Sequence, residues 1–99
     1  MGYKVIITKE SKSDVAEIVT WYSEISEELA NKFLSEMDAE LNKIAEYPLL
    51  FSTVTQSIYR GRLRTFPYNI FFKILSDTIL IGGIIHQKRH SRVWKKRLK

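Results

Sequence analysis

Arginine side chains are concentrated in the second half of this sequence, and they are the residues best suited to chemistry. Three of them alternate with smaller residues as Arg60, Arg62 and Arg64, and two more follow an apolar run as Arg89 and Arg92. Guanidinium groups stay positively charged at neutral pH. Their spacing predicts a cluster at one end of a sheet, where it would bind a polyanion or an acidic protein.

The charge of the whole chain is divided in the same way. Residues 1–57 hold five Lys or Arg and ten Asp or Glu, for a net charge of −5, whereas residues 58–99 hold eleven and one, for +10. A purely structural role for these arginines stays open as an alternative to target binding, because alternating arginines also occur on solvated strands and protect sheet edges from pairing. The tail adds further candidates for target binding, which are Trp94, Lys95, Lys96 and Arg97.

Two of these features have a second interpretation as structure. Trp94 is expected to pack back on the sheet as a cap for the core more readily than to stack on a base. A histidine at the end of a strand, His86, is more often a local hydrogen-bonding group, although histidine also titrates near neutral pH and can carry a proton. The basic tail can equally be a solubilising segment.

The composition excludes several kinds of protein. The 99 residues predict a single domain over 1–99, and the absence of cysteine removes disulfides, thiol nucleophiles and cysteine-ligated zinc. We expect no metal and no other cofactor. No apolar run approaches the ~20 residues that span a bilayer, and the N-terminus has no signal-peptide pattern. We therefore expect a cytoplasmic protein without a membrane partner.

The elements that must position these residues follow from the apolar spacing. Residues 3–8 alternate as a strand, and Ser11 or Ser13 is the predicted N-cap of a first helix. Ser26 is the predicted N-cap of a second helix, which Pro48 stops, and the acids should line the outer faces of this hairpin. Residues 49–57 form a loop or a fragment of extended chain, and strands follow at 58–66, 68–75 and 78–86. The fold class is α+β, β-α-α-β-β-β, with the hairpin on one face of a mostly antiparallel four-stranded sheet.

Three pieces of sequence carry a resemblance to a known family. They are the run from Arg62 through Phe66-Pro67-Tyr68 to Ile74, the stretch from Ile84 through His86 to Arg89, and Val93-Trp94. In this order and spacing they resemble the RelE/ParE superfamily of toxins from bacterial type II toxin–antitoxin modules. The resemblance covers nearly the whole chain and implies the same element order.

The resemblance implies two possible activities. RelE-like members are metal-free endoribonucleases that cut messenger RNA on the ribosome, and the matching residues here would be Arg62, Arg64 and Arg89, with His86 or His90 as proton carrier. However, the arginine that such nucleases carry early in the third strand falls at about Asn69, and their C-terminal tyrosine is replaced by Trp94. These departures favour the ParE-like branch, which acts on DNA gyrase without catalytic groups. A non-toxic, partner-binding relic of the fold is a third possibility.

The resemblance also implies the partners. A small cognate antitoxin, acidic or with an acidic segment, should neutralise this chain and carry apolar anchors as well, because charge steers association more than it sets affinity. It would bind along a sheet edge or beside the helical hairpin. Promoter DNA would be bound only through the antitoxin.

Overall fold

Five strands form one mixed sheet in the computed structural model, which describes residues 3–89 and 92–98. The strands are β1 (Lys4–Ile7), β2 (Ser52–Thr53), β3 (Ile58–Arg62), β4 (Tyr68–Leu75) and β5 (Thr78–His86). Their order across the sheet is β1-β5-β4-β3-β2. β1 runs parallel to β5 and the other three pairings are antiparallel. The predicted α+β class and mostly antiparallel sheet are confirmed, with β2 as an additional strand.

A helical hairpin covers one face of this sheet, as the apolar spacing predicts. It consists of α1 (Lys9–Ile25) and α2 (Glu27–Glu46), with Ser26 between them. The Ser26 side chain accepts a hydrogen bond from the Leu29 N–H, so the predicted cap of α2 is confirmed. A 3-10 turn at Pro48–Leu50 follows α2. The core under the hairpin joins Ile18, Tyr22, Phe33, Met37 and Ile44 to Ile70, Phe72, Ile79, Ile81 and Ile84 of the sheet.

A third helix, α3 (Arg92–Arg97), covers part of the opposite face. Its Trp94 and Leu98 just beyond it form a second buried cluster with Ile58, Phe71 and Ile85. The pairing of β4 with β5 shifts register at Phe71/Phe72, which is a β-bulge in β5 at Gly82-Gly83. A Cβ atom on Gly82 would lie 2.3 Å from the Leu98 Cγ. Glycine is therefore required at 82, because the chain after α3 rests directly on the backbone of β5.

Two predicted boundaries are wrong. The N-cap of α1 is Thr8, not Ser11 or Ser13, and the buried Ser11 hydroxyl instead donates to the Ile81 carbonyl of β5 at 2.9 Å. The strand predicted at 58–66, which is β3 of the structure, ends at Arg62 instead of residue 66. There the chain leaves the sheet because Leu63 and Phe66 are buried in the core below the hairpin. Proline at 67 then precedes the start of β4.

Candidate functional site

Two of the three clustered arginines lie on the α3 face of the sheet. In the register of β3 and β4, Arg60 is opposite Phe71 and Arg62 is opposite Asn69. Directly paired residues point to the same face, and Phe71 belongs to the cluster under α3. Arg62 is exposed, whereas Arg60 is half-buried and its Nε has no hydrogen-bond partner among the described residues. The exposed Lys95 and Lys96 of α3 add positive charge to this face.

The two positions that decide between nuclease and binding toxin are both buried. Asn69 is 9% exposed, and its Oδ1 has no hydrogen-bond partner in the described part of the chain. Trp94 is 7% exposed and stacks on Phe71 with 5.3 Å between ring centroids and 22° between planes. Trp94 is therefore a core residue, as its structural interpretation predicts. The assignment of Trp94 to target binding requires a surface indole, and this one is covered.

Arg64 does not lie on the α3 face with Arg60 and Arg62. It lies in the loop between β3 and β4, where it is exposed beside α2. The Glu36 carboxylate of α2 accepts the Thr65 N–H at 2.7 Å and holds this loop. Burial raises the pKa of Glu36, but hydrogen bonds from the backbone N–H groups of residues 64–66 outweigh it and leave the pKa below its ordinary value.

A second carboxylate on α2 has the opposite behaviour. Glu40 lies one turn after Glu36, and burial raises its pKa although Lys43 is 3.8 Å away. Its Oε2 lies near the backbone of β3, where a Cβ on Gly61 would be 3.4 Å from it. The expectation that the acids line the outer faces of the hairpin is thus wrong for Glu36 and Glu40, which lie against the loop and the sheet.

Arg97 of α3 is paired with a carboxylate and is not a free cation. Its guanidinium donates to the Asp14 carboxylate of α1, with Nη1–Oδ2 at 2.6 Å and Nη2–Oδ1 at 3.3 Å. The same Oδ2 accepts the Ile84 N–H at 3.0 Å. The two side chains are 23% and 13% exposed, so the pair is largely desolvated. This is a structural ion pair that fastens α3, and it occupies the guanidinium that the sequence predicts as a target-binding group.

His86 and Arg89 lie at the turn that follows β5. The His86 Nδ1 accepts the Lys88 N–H at 3.1 Å, and its ring meets Tyr68 edge-on at 5.3 Å. His86 thus forms the local hydrogen bond that is usual for a histidine at the end of a strand. Arg89 is exposed and lines a cleft against α1. His90 lies outside the described residues, as does the side chain of Arg92.

The predicted site residues are therefore divided between three places. Arg60, Arg62, Lys95 and Lys96 share the α3 face, Arg64 lies beside α2, and Arg89 and His86 lie beside α1. Within the described ranges, no group of three or more histidines and carboxylates is arranged to hold a metal ion. No described helix is both long and apolar enough to cross a bilayer.

Comparison with known proteins gives the family and the fold of this chain. The family described as the ParE toxin of the type II toxin–antitoxin system, parDE, matches residues 5–91. The chain belongs to the ParE toxin family. A solved chain of the chromosomal ParDE TA system from P. aeruginosa has a similar fold, with a TM-score of 0.75 and 16% sequence identity, covering 85% of this chain and 95% of that one. No curated protein matches this sequence.

Membership in the ParE family confirms the resemblance to ParE-type toxins. Several residues that shape the site in this ParE-family chain escaped sequence reasoning. Asp14 is predicted as an acid near a helix start and Glu36 as an acid on an outer helix face, because nothing in their spacing shows that an arginine 83 residues away or a loop N–H will meet them. Trp21 of α1 is 56% exposed. A large indole on a polar helix face is unusual, so this residue is a sequence signal for a binding surface on α1.

Proposed function

We propose that this chain is a toxin that binds and inhibits DNA gyrase, and that a small antitoxin with an acidic segment neutralises it. The observation that carries the proposal is the burial of Trp94 against Phe71, at the position where a nuclease would need an acid or base. An indole N–H does not exchange protons near neutral pH, so Trp94 cannot serve the neighbouring arginines as a general acid.

The α3 face is the proposed contact surface for the target. Its exposed cations, Arg62, Lys95 and Lys96, have no ion-pair partner among the described residues. Exposed cations of this kind, of which Lys95 also lies over the Trp94 ring at 5.7 Å, steer an acidic protein or a protein–DNA complex toward the surface, and the attraction weakens as salt screens it. Gyrase inhibition should therefore weaken as the salt concentration rises.

The antitoxin is proposed to dock beside the helical hairpin. An apolar cleft of about 270 Å³ opens there, lined by Val15 of α1, Leu34 and Met37 of α2, and Ile7 and Ile81 at the sheet edge. Leu34 is 41% exposed, which leaves an apolar side chain ready to contact a partner. Apolar anchors in this cleft would supply affinity, while acidic residues of the antitoxin meet the basic surface. Promoter DNA would be bound through the antitoxin.

Two assays on one purified sample test the toxin proposal. The first follows supercoiling of relaxed plasmid by gyrase, and the second follows ribosome-dependent cleavage of messenger RNA. We expect loss of supercoiling and intact messenger RNA. The variant Lys95→Gln/Lys96→Gln should weaken inhibition, while Lys9→Gln/Lys12→Gln, with the same change of charge on the hairpin, should not. Cleavage of messenger RNA with normal supercoiling would support the nuclease branch, and neither effect would indicate a non-toxic relic.

The antitoxin proposal has its own measurement. A ligand that binds only the folded chain raises the melting temperature by mass action. Saturating cognate antitoxin should therefore shift the thermal unfolding of the chain upward, and Leu34→Glu should remove the shift. The exposed Leu50, which does not line the cleft, provides the control Leu50→Glu. An unchanged melting curve for the unmodified chain would contradict the proposal.

A further inference from the structure

A cleft runs between α1 and the end of β5, on a part of the molecule that the proposed toxin function does not use. Its narrow part, of about 210 Å³, is lined by α1 on one wall and by Tyr68, His86 and Arg89 on the other. It adjoins a wider part of about 670 Å³ that reaches Lys9. With the wider part included, the cleft reaches the size of small-ligand sites, about 300–1,000 Å³.

Opposite charges face each other across this cleft without meeting. Glu17 on α1 and Arg89 after β5 line both parts of the cleft. Neither forms an ion pair with any described residue, whereas their neighbours Asp14 and Arg97 are already paired with each other. The cleft therefore keeps one free acceptor and one free donor, with space for a ligand between them.

Backbone hydrogen bonds position the donor wall of the cleft, which carries His86 and Arg89. The Arg89 N–H donates to the His86 carbonyl at 2.9 Å, and the Gln87 N–H donates to the Pro67 carbonyl at 2.9 Å. Because the His86 Nδ1 accepts the Lys88 N–H, the N–H donor of this ring is Nε2. His86 thus offers a second N–H donor on the same wall as Arg89, and it has no acceptor in the described part of the structure.

An aromatic ring stands at the end of the cleft. Trp21 lies one turn after Glu17 on α1 and is 56% exposed, which is unusual for the largest side chain of a soluble helix. Ile18 and Ile84 form an apolar floor beside it. An exposed indole over an apolar floor is a stacking surface for a planar ring.

We propose that this cleft binds a guanine nucleotide. Guanine is planar, and it presents two N–H donor groups on one edge beside the O6 and N7 acceptors on the next. The Glu17 carboxylate would accept from the donor edge, Arg89 and His86 would donate to O6 and N7, and Trp21 would stack on the ring. The wider part of the cleft would take the ribose and its phosphate, with Lys9 as the cation for the phosphate and the Glu10 carboxylate as an opposing charge that limits its contribution. Adenine is disfavoured because it places an acceptor, N1, against the Glu17 carboxylate.

The test uses the quenching of Trp21 fluorescence, because the other tryptophan, Trp94, is buried outside the cleft, where a ligand bound in the cleft does not touch it. The full chain is titrated with GMP, AMP and CMP at low salt. We expect saturable quenching by GMP, with AMP and CMP at least about tenfold weaker, because a site built from hydrogen bonds rejects ligands that leave its polar groups unpaired. Calorimetry on Trp21→Phe should still detect GMP, more weakly, while the fluorescence response disappears.

Matched variants assign the recognition to the two charged walls. Glu17→Gln should weaken GMP binding about tenfold, whereas Glu28→Gln, which removes a carboxylate outside the cleft, should not. Arg89→Gln should also weaken it, whereas the adjacent exposed Lys88→Gln should not. Circular dichroism of each variant verifies that it is folded. A response that is equal for all nucleotides, or that is unchanged in Glu17→Gln, would overturn the proposal.

Two further probes are needed. One distinguishes a free nucleotide from a single-stranded nucleic acid as the source of the guanine, and the other tests the main competing ligand, a protein side chain. A single-stranded thymidine oligomer with one internal guanine is compared with the all-thymidine oligomer. Tighter binding of the guanine oligomer than of GMP would identify a single-stranded nucleic acid as the source, and the reverse would identify a free nucleotide. A saturable response to N-acetyl-arginine amide without any response to GMP would mean that the cleft takes a protein side chain, and would refute the proposal.

Discussion

Arg97 and Asp14 form an ion pair around the edge of the sheet, with Nη1 and Oδ2 2.6 Å apart. Asp14 belongs to the hairpin on one face and Arg97 to α3 on the other. They can meet because β1 ends at Ile7, opposite Ile81, and leaves the rest of β5 without a strand neighbour on that side. Asp14 fills the gap by accepting the Ile84 N–H.

Breaking this pair should destabilise the chain. In Asp14→Asn the largely desolvated Arg97 loses its counter-charge, and we expect a decrease of about 2 kcal/mol in the free energy of unfolding. Urea denaturation measures it. Asp38→Asn, an exposed acid on α2, serves as the control and should change little. In a double-mutant cycle with Arg97→Met, additive effects would show that the two residues are not coupled.

Gly82 should tolerate no side chain while Leu98 rests on it. The Cβ of Gly82→Ala would lie within 2.6 Å of three Leu98 side-chain atoms, so α3 must move. We expect a loss of about 1–3 kcal/mol and a red shift of Trp94 fluorescence, measured in a Trp21→Phe background. Adding Leu98→Ala removes the clash and should restore the Trp94 spectrum more fully than it restores stability. A native spectrum in Gly82→Ala alone would contradict this packing.

Glu36 should make stability depend on pH in the acid range. Hydrogen bonds from the 64–66 backbone hold its pKa below the ordinary value of 4.5, so its contribution is complete above that value and is lost as pH falls through the lowered pKa. Glu36→Gln should be about 1 kcal/mol less stable at pH 7, and the difference from the unmodified chain should shrink as the pH falls through the lowered pKa of Glu36. Urea denaturation at each pH measures this difference.

Glu40, on the same helix, should give stability the opposite pH dependence. Burial raises its pKa, so its charged form opposes folding, and the stability that it contributes is present at low pH and lost as pH rises through the raised pKa. Glu40→Gln should therefore be at least as stable as the unmodified chain at pH 7. A loss at pH 7 equal to that of Glu36→Gln would show that both changes disturb only packing.

Restoring the nuclease-type residues should not create a nuclease. Asn69 is 9% exposed, so Asn69→Arg buries a guanidinium without a counter-charge and should cost about 2–3 kcal/mol of stability. Trp94→Tyr in addition loses part of the stacking on Phe71. The double variant should give no ribosome-dependent cleavage of messenger RNA. Cleavage by a folded double variant would revive the enzyme hypothesis for this scaffold.

The sequence by itself determined the elements and the family. Apolar spacing predicted the hairpin with Ser26 as cap, and β-branched and aromatic runs predicted β4 at Tyr68–Leu75 and β5 at Thr78–His86. These signals are local, because the period of the apolar residues reports which face of a helix or strand is buried. The ordered motifs around Phe66-Pro67-Tyr68 and Trp94 were sufficient to indicate the ParE-type toxins.

Only the tertiary structure decided which charged groups are free. Arg97 and Lys96 are neighbours in one basic run, yet Arg97 is paired with Asp14 across the sheet and Lys96 is exposed. Arg62 and Arg64 are two residues apart, yet they separate because the chain leaves the sheet after Arg62 to bury Leu63. Long-range pairing depends on the sheet register, the bulge at Gly82 and the docking of α3. These set distances between residues that are remote in sequence, which a local pattern does not encode.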